Sequence, residues 1–262
     1  MKKNNEVTLH IPNFKFNLRI KTHGESDLVS RMILRDKIWE AFETKLVIEN
    51  LHDGSVFIDV GANIGYYSVI ASKCIGNKGK IFSFEPEQKN FQLLAMNIKQ
   101  NNIKNVEIFQ AGLGNHNREI DLFINAENRG DHRAFNKSSE SNREKTSVRI
   151  LIGDEALQNQ KVDFIKIDTQ GYELAILQGL RKTISTNEQH LKMIIEFWPF
   201  ALKENGHSAG ELIDELARYN FDIHIIDHIN HELIKSDLAR LKDFSEKSLS
   251  VESQGFVNLL LS

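Results

Sequence analysis

The chain has 262 residues, 40% of them hydrophobic, enough for one large core or a core with an appendage. Its 33 basic and 36 acidic residues leave a net charge of −3, so bulk attraction to nucleic acid is not expected. A single cysteine, Cys74, excludes an internal disulfide, no apolar run approaches the ~18–20 residues of a membrane span, and Met1-Lys-Lys-Asn-Asn5 is not followed by an apolar region of signal-peptide type; the expectation is a soluble protein of the reducing cytoplasm.

Residues 7–11 and 14–21 alternate apolar and polar around Pro12-Asn13 and predict a small hairpin outside the main sheet. Residues 36–50, with Ile38, Phe42 and Leu46, predict a helix; Trp39 reads as core or as a pocket wall. Strand and helix then alternate, the pattern of a parallel sheet. Strands are predicted at 56–60, 80–85, 106–111, 162–167, 192–197, 221–226 and 256–261, seven in all, with helices at 66–75, 87–101, 172–184 and 208–219. The predicted fold is thus α/β, a seven-stranded, mostly parallel sheet with helices on both faces. Residues 1–50 form a hairpin and helix extension, and 51–262 the main domain with an insertion at 118–152. Within that insertion 118–124 and 146–152 read as added strands, and the polar stretch 125–145 as a solvated loop or a mobile lid.

The most informative stretch is Val56-Phe-Ile-Asp59-Val-Gly61-Ala62-Asn63-Ile-Gly65. An apolar strand ends in a glycine turn and enters a helix, whose first N–H groups lack intrahelical partners. Gly61 and Gly65 allow close approach of backbone to a ligand and to a packed helix. Asp59 would repel a phosphate and suits an ammonium group. Twenty residues after Gly65 a second apolar run ends at Glu85-Pro86, where a carboxylate can accept the hydroxyls of a ribose. An ammonium at one end and a ribose at the other describe S-adenosylmethionine. Asp59, Gly61, Ala62, Asn63, Gly65, Glu85 and Gly112, which follows the third strand, are therefore candidate cofactor-binding residues.

Four blocks in order, Asp59-Val-Gly-Ala-Asn-Ile-Gly65, Phe84-Glu85-Pro86, Ile165-Lys166-Ile-Asp168-Thr-Gln-Gly171-Tyr-Glu173 and Ile195-Glu196-Phe-Trp-Pro199, resemble the FkbM family of methyltransferases. The resemblance spans residues 56–200 and implies a class I methyltransferase (Rossmann-like) fold with S-adenosylmethionine as cofactor. It implies methyl transfer to a hydroxyl of a sugar, glycan or other small natural product. Gln170 stands where the family usually has Glu, which removes a charge and argues against a metal there.

Asp168 ends a core strand at the carboxyl edge, where ligands of open sheets bind, and the resemblance puts it near the methionine end of the cofactor or the acceptor; capping the next helix is its simpler role. Glu173 is divided between site and support. Gly130-Asp131-His132-Arg133 in the polar insertion resembles a family cluster: His132 as proton acceptor and Arg133 as an anion clamp join Asp168 as candidate catalytic residues. Glu196 and Trp198 are candidate acceptor-binding residues, Glu196 by hydrogen bonding and Trp198 by stacking; a structural link from Glu196 to Lys166 is the alternative. His224, His228 and His231 do not compose a metal site, and no metal is expected. The competing functions are a nicotinamide-dependent oxidoreductase, which Asp59 opposes, and a non-catalytic nucleoside-binding module. The expected partner is a small-molecule or glycan acceptor.

Overall fold

The computed structural model describes residues 5–135, 143–248 and 255–262. Part of the 125–145 stretch, residues 136–142, lies outside the described residues. In chain order the elements are β1 (Glu6–Thr8), β2 (Arg19–Lys21), α1 (Leu28–Asp36), α2 (Ala41–Asn50), β3 (Val56–Val60), α3 (Tyr66–Cys74), β4 (Lys80–Phe84), α4 (Gln88–Gln100), β5 (Val106–Phe109), β6 (Gly112–Gly114), β7 (Arg118–Ile124), β8 (Glu144–Ile152), α5 (Gly153–Leu157), β9 (Phe164–Ile167), α6 (Glu173–Gly179), α7 (Arg181–Asn187), β10 (Lys192–Phe197), α8 (Pro199–Glu204), α9 (Ala209–Leu216), β11 (Ile223–Asp227), β12 (Glu232–Ser236), α10 (Leu238–Lys247) and β13 (Val257–Leu261).

The main sheet has eight strands in the order β12-β11-β13-β10-β9-β3-β4-β5. Strands β5, β4, β3, β9 and β10 pair in parallel, while β13 pairs antiparallel with β10 and β11, and β12 antiparallel with β11. The predicted seven strands are all there, and β12 is the addition. It is an edge strand whose first four residues are exposed, so it carries no apolar alternation to announce it. The sequence turns from β3 outward to β4 and β5, then returns to β9 on the other side of β3. A crevice opens at such a reversal, beyond the carboxyl ends of the strands.

Strand alternation sorts the core into two layers. Ile58, Val60, Ile165, Ile167, Met193 and Ile195 face one way, onto Leu174, Leu177, Leu212 and Leu216 of α6 and α9. Phe57, Ile81, Phe164 and Ile194 face the other, onto Phe42, Leu46 and Val47 of α2 and Val69 and Ile70 of α3. The hairpin β1–β2 pairs Val7 with Ile20, and its Leu18 and Ile20 are buried in this second layer. A separate sheet, β6-β8-β7, joins the two insertion strands to β6, which precedes the insertion.

Two predicted helices are corrected. The helix expected over 36–50 begins at Ala41, because Lys37 and Glu40 hold left-handed backbone (φ 61 and 41) that ends α1 and precedes α2. The helix expected over 172–184 divides at Leu180 into α6 and α7. Among the described residues no helix is long and apolar enough to cross a membrane.

Candidate active site

The strand register assembles a polar row on the face covered by α2 and α3. Asp59 of β3 lies opposite Ser83 of β4 and Lys166 of β9, and one step further along the same face Glu196 of β10 lies opposite Asn258 of β13. Apolar residues precede Asp59, Ser83, Lys166 and Glu196 on that face, so these gather at the carboxyl ends of the parallel strands, where antiparallel β13 brings Asn258 from its amino end. Lys166 Nζ sits 3.1 Å from Glu43 and 3.1 Å from Asp168, over the ring of Tyr67 at 4.6 Å. Burial works against its charge, but Asp168, Glu43 and Glu40 outweigh it and hold the lysine well above its usual pKa.

The turn after β3 is closed on itself. The N–H groups of Gly61 and Ala62 both donate to the carbonyl of Phe84, and that of Asn63 donates to Glu85 at 2.8 Å. The unpartnered N–H groups expected here are thus engaged, and the turn offers close approach without an anion cradle. Gly61 has φ +80, and a Cβ on it would stand 2.1 Å from the carbonyl oxygen of Asp168. Glu85 accepts one N–H on each oxygen, from Asn63 and from Glu87, which leaves a lone pair on each for a ligand hydroxyl. Burial pushes its pKa up to about 8.

Two cavities meet at this turn. The smaller, about 80 Å³, is bounded by Glu85, Pro86, Asn90, Arg129 and His132. The larger, about 370 Å³, is walled by the aromatic side chains of Trp39, Tyr66, Tyr67, Trp198 and Phe256 and by Glu40, Asp168, Glu196 and Lys166. Gly61, Asn63, Gly130, Asp168 and Gln170 border both. Three residues other than glycine in the larger wall, Glu40, Asn63 and Gln170, hold positive φ (41, 50 and 55), a conformation that persists only where its surroundings impose it.

The sequence-predicted residues divide accordingly. Gly61, Asn63 and Asp168 border both cavities, Glu85 and His132 the smaller, and Ala62, Arg133, Glu196 and Trp198 the larger. Asp59, Gly65, Gly112 and Glu173 border neither. Asp59 is buried beneath the turn, where it accepts the Ser68 hydroxyl at 2.5 Å, and burial pushes its pKa up to about 6. The direct ammonium contact expected of it is replaced by a role inside the floor. Gly65 (φ +82) lets α4 approach, since a Cβ would meet Leu94 at 2.4 Å. At Gly112 a Cβ would meet Ile150 at 2.8 Å, so it serves packing of the second sheet. Glu173 Oε1 accepts from the Thr169 hydroxyl and from the N–H groups of Thr169 and Gly171, which makes it the support of the loop after β9.

His132 and Arg133 depart from their expected roles. Asn125 donates its N–H to His132 Nδ1 at 3.1 Å, and burial lowers the imidazole pKa to about 4. That ring is not arranged to take a proton. Arg133 turns its fork onto Asp131, with Nε at 2.5 Å and Nη2 at 3.0 Å, and lies over Trp198 at 5.0 Å. Its expected grip on a ligand anion is already spent on a carboxylate. Asp168 is better placed. Its carboxylate is 35% exposed, with Oδ2 accepting from Lys166 and Oδ1 from Gln170, each at 3.1 Å.

Glu40, Glu43, Tyr67 and Asn258 were not legible as site residues. The Tyr67 hydroxyl, with one proton to donate, lies 2.9 Å from Glu40 and 3.2 Å from Glu43, and Asn258 donates to Glu43 at 2.7 Å. The only sequence signal was a carboxylate pair in the first turns of an otherwise apolar helix face. The histidines of 224–231 do not converge: His228 Nε2 lies 3.7 Å from Glu43 and 3.4 Å from Asn258, His231 stacks on Phe42 at 5.6 Å, and no group of three or more candidate ligands among the described residues could hold a metal.

The open sheet, the glycine turn after its central strand and an acidic strand end beside it have the architecture of the class I methyltransferase (Rossmann-like) fold. The crystal structure of a methyltransferase FkbM from Methylobacillus flagellatus KT has a similar fold, with a TM-score of 0.50 and 15% identity over 89% of this chain and 52% of that one. The Methyltransferase FkbM domain matches residues 59–223, well over half of the sequence, so the chain belongs to the FkbM methyltransferase family and its cofactor is S-adenosylmethionine. Hexuronic acid methyltransferase AglP from Haloferax volcanii is 27% identical over 158 residues, covering 58% of this chain and 61% of that protein. A probable cobalt-precorrin-6B C(15)-methyltransferase (decarboxylating) from Sulfurisphaera tokodaii is 26% identical over 133 residues, covering 49% of this chain and 68% of that protein. The match to AglP thus spans about three-fifths of that relative's length. A nicotinamide-dependent oxidoreductase has no support in these likenesses.

Proposed function

We propose that this chain methylates a hydroxyl of a sugar, glycan or other small natural product. The observation that carries this reading is the junction of the two cavities at Gly61 and Asp168, one ending at Glu85 and the other walled by aromatic rings and carboxylates. Glu85 receives the ribose hydroxyls in the smaller cavity, and the methionine end runs past Gly61. The sulfonium donor brings an activated methyl group, so holding the acceptor oxygen in line accounts for most of the acceleration. Trp198 offers the acceptor a flat apolar face, as a sugar ring requires. Asp168 accepts the acceptor's hydroxyl proton, with Lys166 and Gln170 fixing the carboxylate. The name of AglP supports a sugar acceptor.

The test is incubation of the protein with isotopically methyl-labelled donor and metabolite or glycan extracts, followed by mass spectrometry. Label on an oxygen of a hydroxylated product, lost in Asp168→Asn, is the expected result. Donor binding with no S-adenosylhomocysteine release in any extract would leave a binding module.

A further inference from the structure

The larger cavity carries more carboxylate than a methyl donor can use. Glu40, Asp168 and Glu196 border it together with Lys166 and Arg133. Both cations are engaged, Lys166 by Glu43 and Asp168 and Arg133 by Asp131. A bound donor brings one ammonium group, fewer than the carboxylates here, and Asp168 is taken by Lys166, Gln170 and the acceptor's hydroxyl. Glu40 and Glu196 remain.

Neither makes an ion pair with a lysine or arginine of the described residues. Glu40 accepts only the Tyr67 hydroxyl at 2.9 Å among the hydrogen bonds of its side chain. Glu196, 6% exposed, accepts from Gln170 Nε2 at 3.2 and 3.3 Å. Burial raises the pKa of both, that of Glu40 to about 8 with Glu43 adding to it. A carboxylate left in this condition is stabilised by an incoming cation and opposes an incoming anion. A second feature of the wall points to the same ligand. Trp39 and Trp198 line the cavity, and the indole N–H of Trp198, itself almost fully buried, has no hydrogen-bond partner among the described residues. Aromatic faces receive both sugar rings and cations.

We infer that the acceptor is an amino sugar, a polyhydroxylated ring whose protonated amine is received by Glu40 and Glu196, and not a uronic acid of the kind in the name of AglP. The inference rests on the methyl-transfer reading above and narrows its acceptor. The carboxylates select the amine while the ring hydroxyl to be methylated faces Asp168.

Saturation-transfer NMR and calorimetry with glucosamine, glucose and glucuronate as probes, in the presence of S-adenosylhomocysteine, test it. Glucosamine should bind at least tenfold more tightly than glucose, and glucuronate more weakly than either. Glu40→Gln and Glu196→Gln should each reduce the preference for glucosamine over glucose at least fivefold, with S-adenosylhomocysteine affinity held within twofold. Equal binding of the three sugars, no binding of glucosamine, a preference for glucuronate, or an unchanged ranking in both variants overturns the inference. If S-adenosylhomocysteine itself does not bind, the methyl-transfer reading falls, and the ranking of the three sugars on the free protein still decides for or against an amine-selective pocket.

Discussion

The backbone N–H of Asn125 donates to Nδ1 of His132 at 3.1 Å, and this bond assigns the tautomer of the ring. In the neutral form the proton then sits on Nε2, which is buried and has no partner among the described residues. Nε2 can donate to a ligand but cannot accept its proton. His132→Ala is therefore expected to lower turnover by less than about tenfold, against the about 10²–10⁴ expected of a general base. Initial rates of variant and wild type with an identified acceptor decide between the two.

The same ring sets a pH dependence of stability. With a folded pKa of about 4 and an ordinary value of 6.5, the unfolded chain takes up a proton between these limits that the folded chain refuses. Its contribution is thus full above pH 6.5 and is lost as the pH falls toward 4, by on the order of 2 kcal/mol at pH 4.5. The raised carboxyls Glu85 and Asp59 act in the opposite sense and gain relative stability in acid. Urea unfolding of wild type and His132→Gln at pH 7 and 4.5 isolates the histidine: the variant should lose less.

At Gly61 an added methyl group meets a carbonyl oxygen, and the backbone is left-handed. Gly61→Ala should cost about 1–3 kcal/mol of stability and displace the end of β9 that carries Asp168. Calorimetry should find S-adenosylmethionine binding weakened at least tenfold, with a two-state unfolding curve retained.

Lys166 is the cation at the centre of the buried carboxylates. Lys166→Met leaves Glu43 without its ionic partner and is expected to destabilise by about 3–5 kcal/mol. The double variant Lys166→Met, Glu43→Gln should recover part of that loss. Chemical denaturation of the two variants measures the difference.

The segment that closes the smaller cavity is held at several points. Arg129 donates its N–H to Asp27 at 2.7 Å, its carbonyl accepts from Asn90 at 3.2 Å, and its guanidinium lies 3.7 Å from Glu87. Asp27 also caps α1 through the N–H of Ser30. Asp27→Ala should therefore cost about 1 kcal/mol in capping and speed amide exchange across residues 125–133. Hydrogen exchange with and without S-adenosylhomocysteine should find the same segment slowed by the ligand in the wild type.

The sequence discloses the strands that end at Asp59, Glu85 and Asp168 because each couples an apolar run to a turn or acidic residue, and that coupling is local. It does not disclose Glu40. Its place in the wall comes from two left-handed residues, Lys37 and Glu40, that reorient α2, and neither is a glycine or asparagine that would mark a turn. His132 and Arg133 were recognisable as a cluster, but their partners, Asn125 and Asp131, decide what they can do, and side-chain pairing within a loop leaves no periodic trace. The polar row across β3, β9 and β10 follows from register, which local sequence does not carry.

The position of β13 has a consequence for biosynthesis. It is the last strand of the sheet to leave the ribosome, yet it belongs between β10 and β11. At about 5–20 residues per second, β10 waits on the order of 3–12 s for this neighbour while the β11–β12 hairpin has none on its inner side. A two-stranded ribbon of that kind is marginal alone. Asn258, which holds Glu43 from β13, arrives with it. The nascent protein therefore cannot complete its pocket piecemeal: the half of the molecule that bears the donor motif is made first, and the larger cavity lacks its Phe256 and Asn258 wall until the closing strand is threaded home.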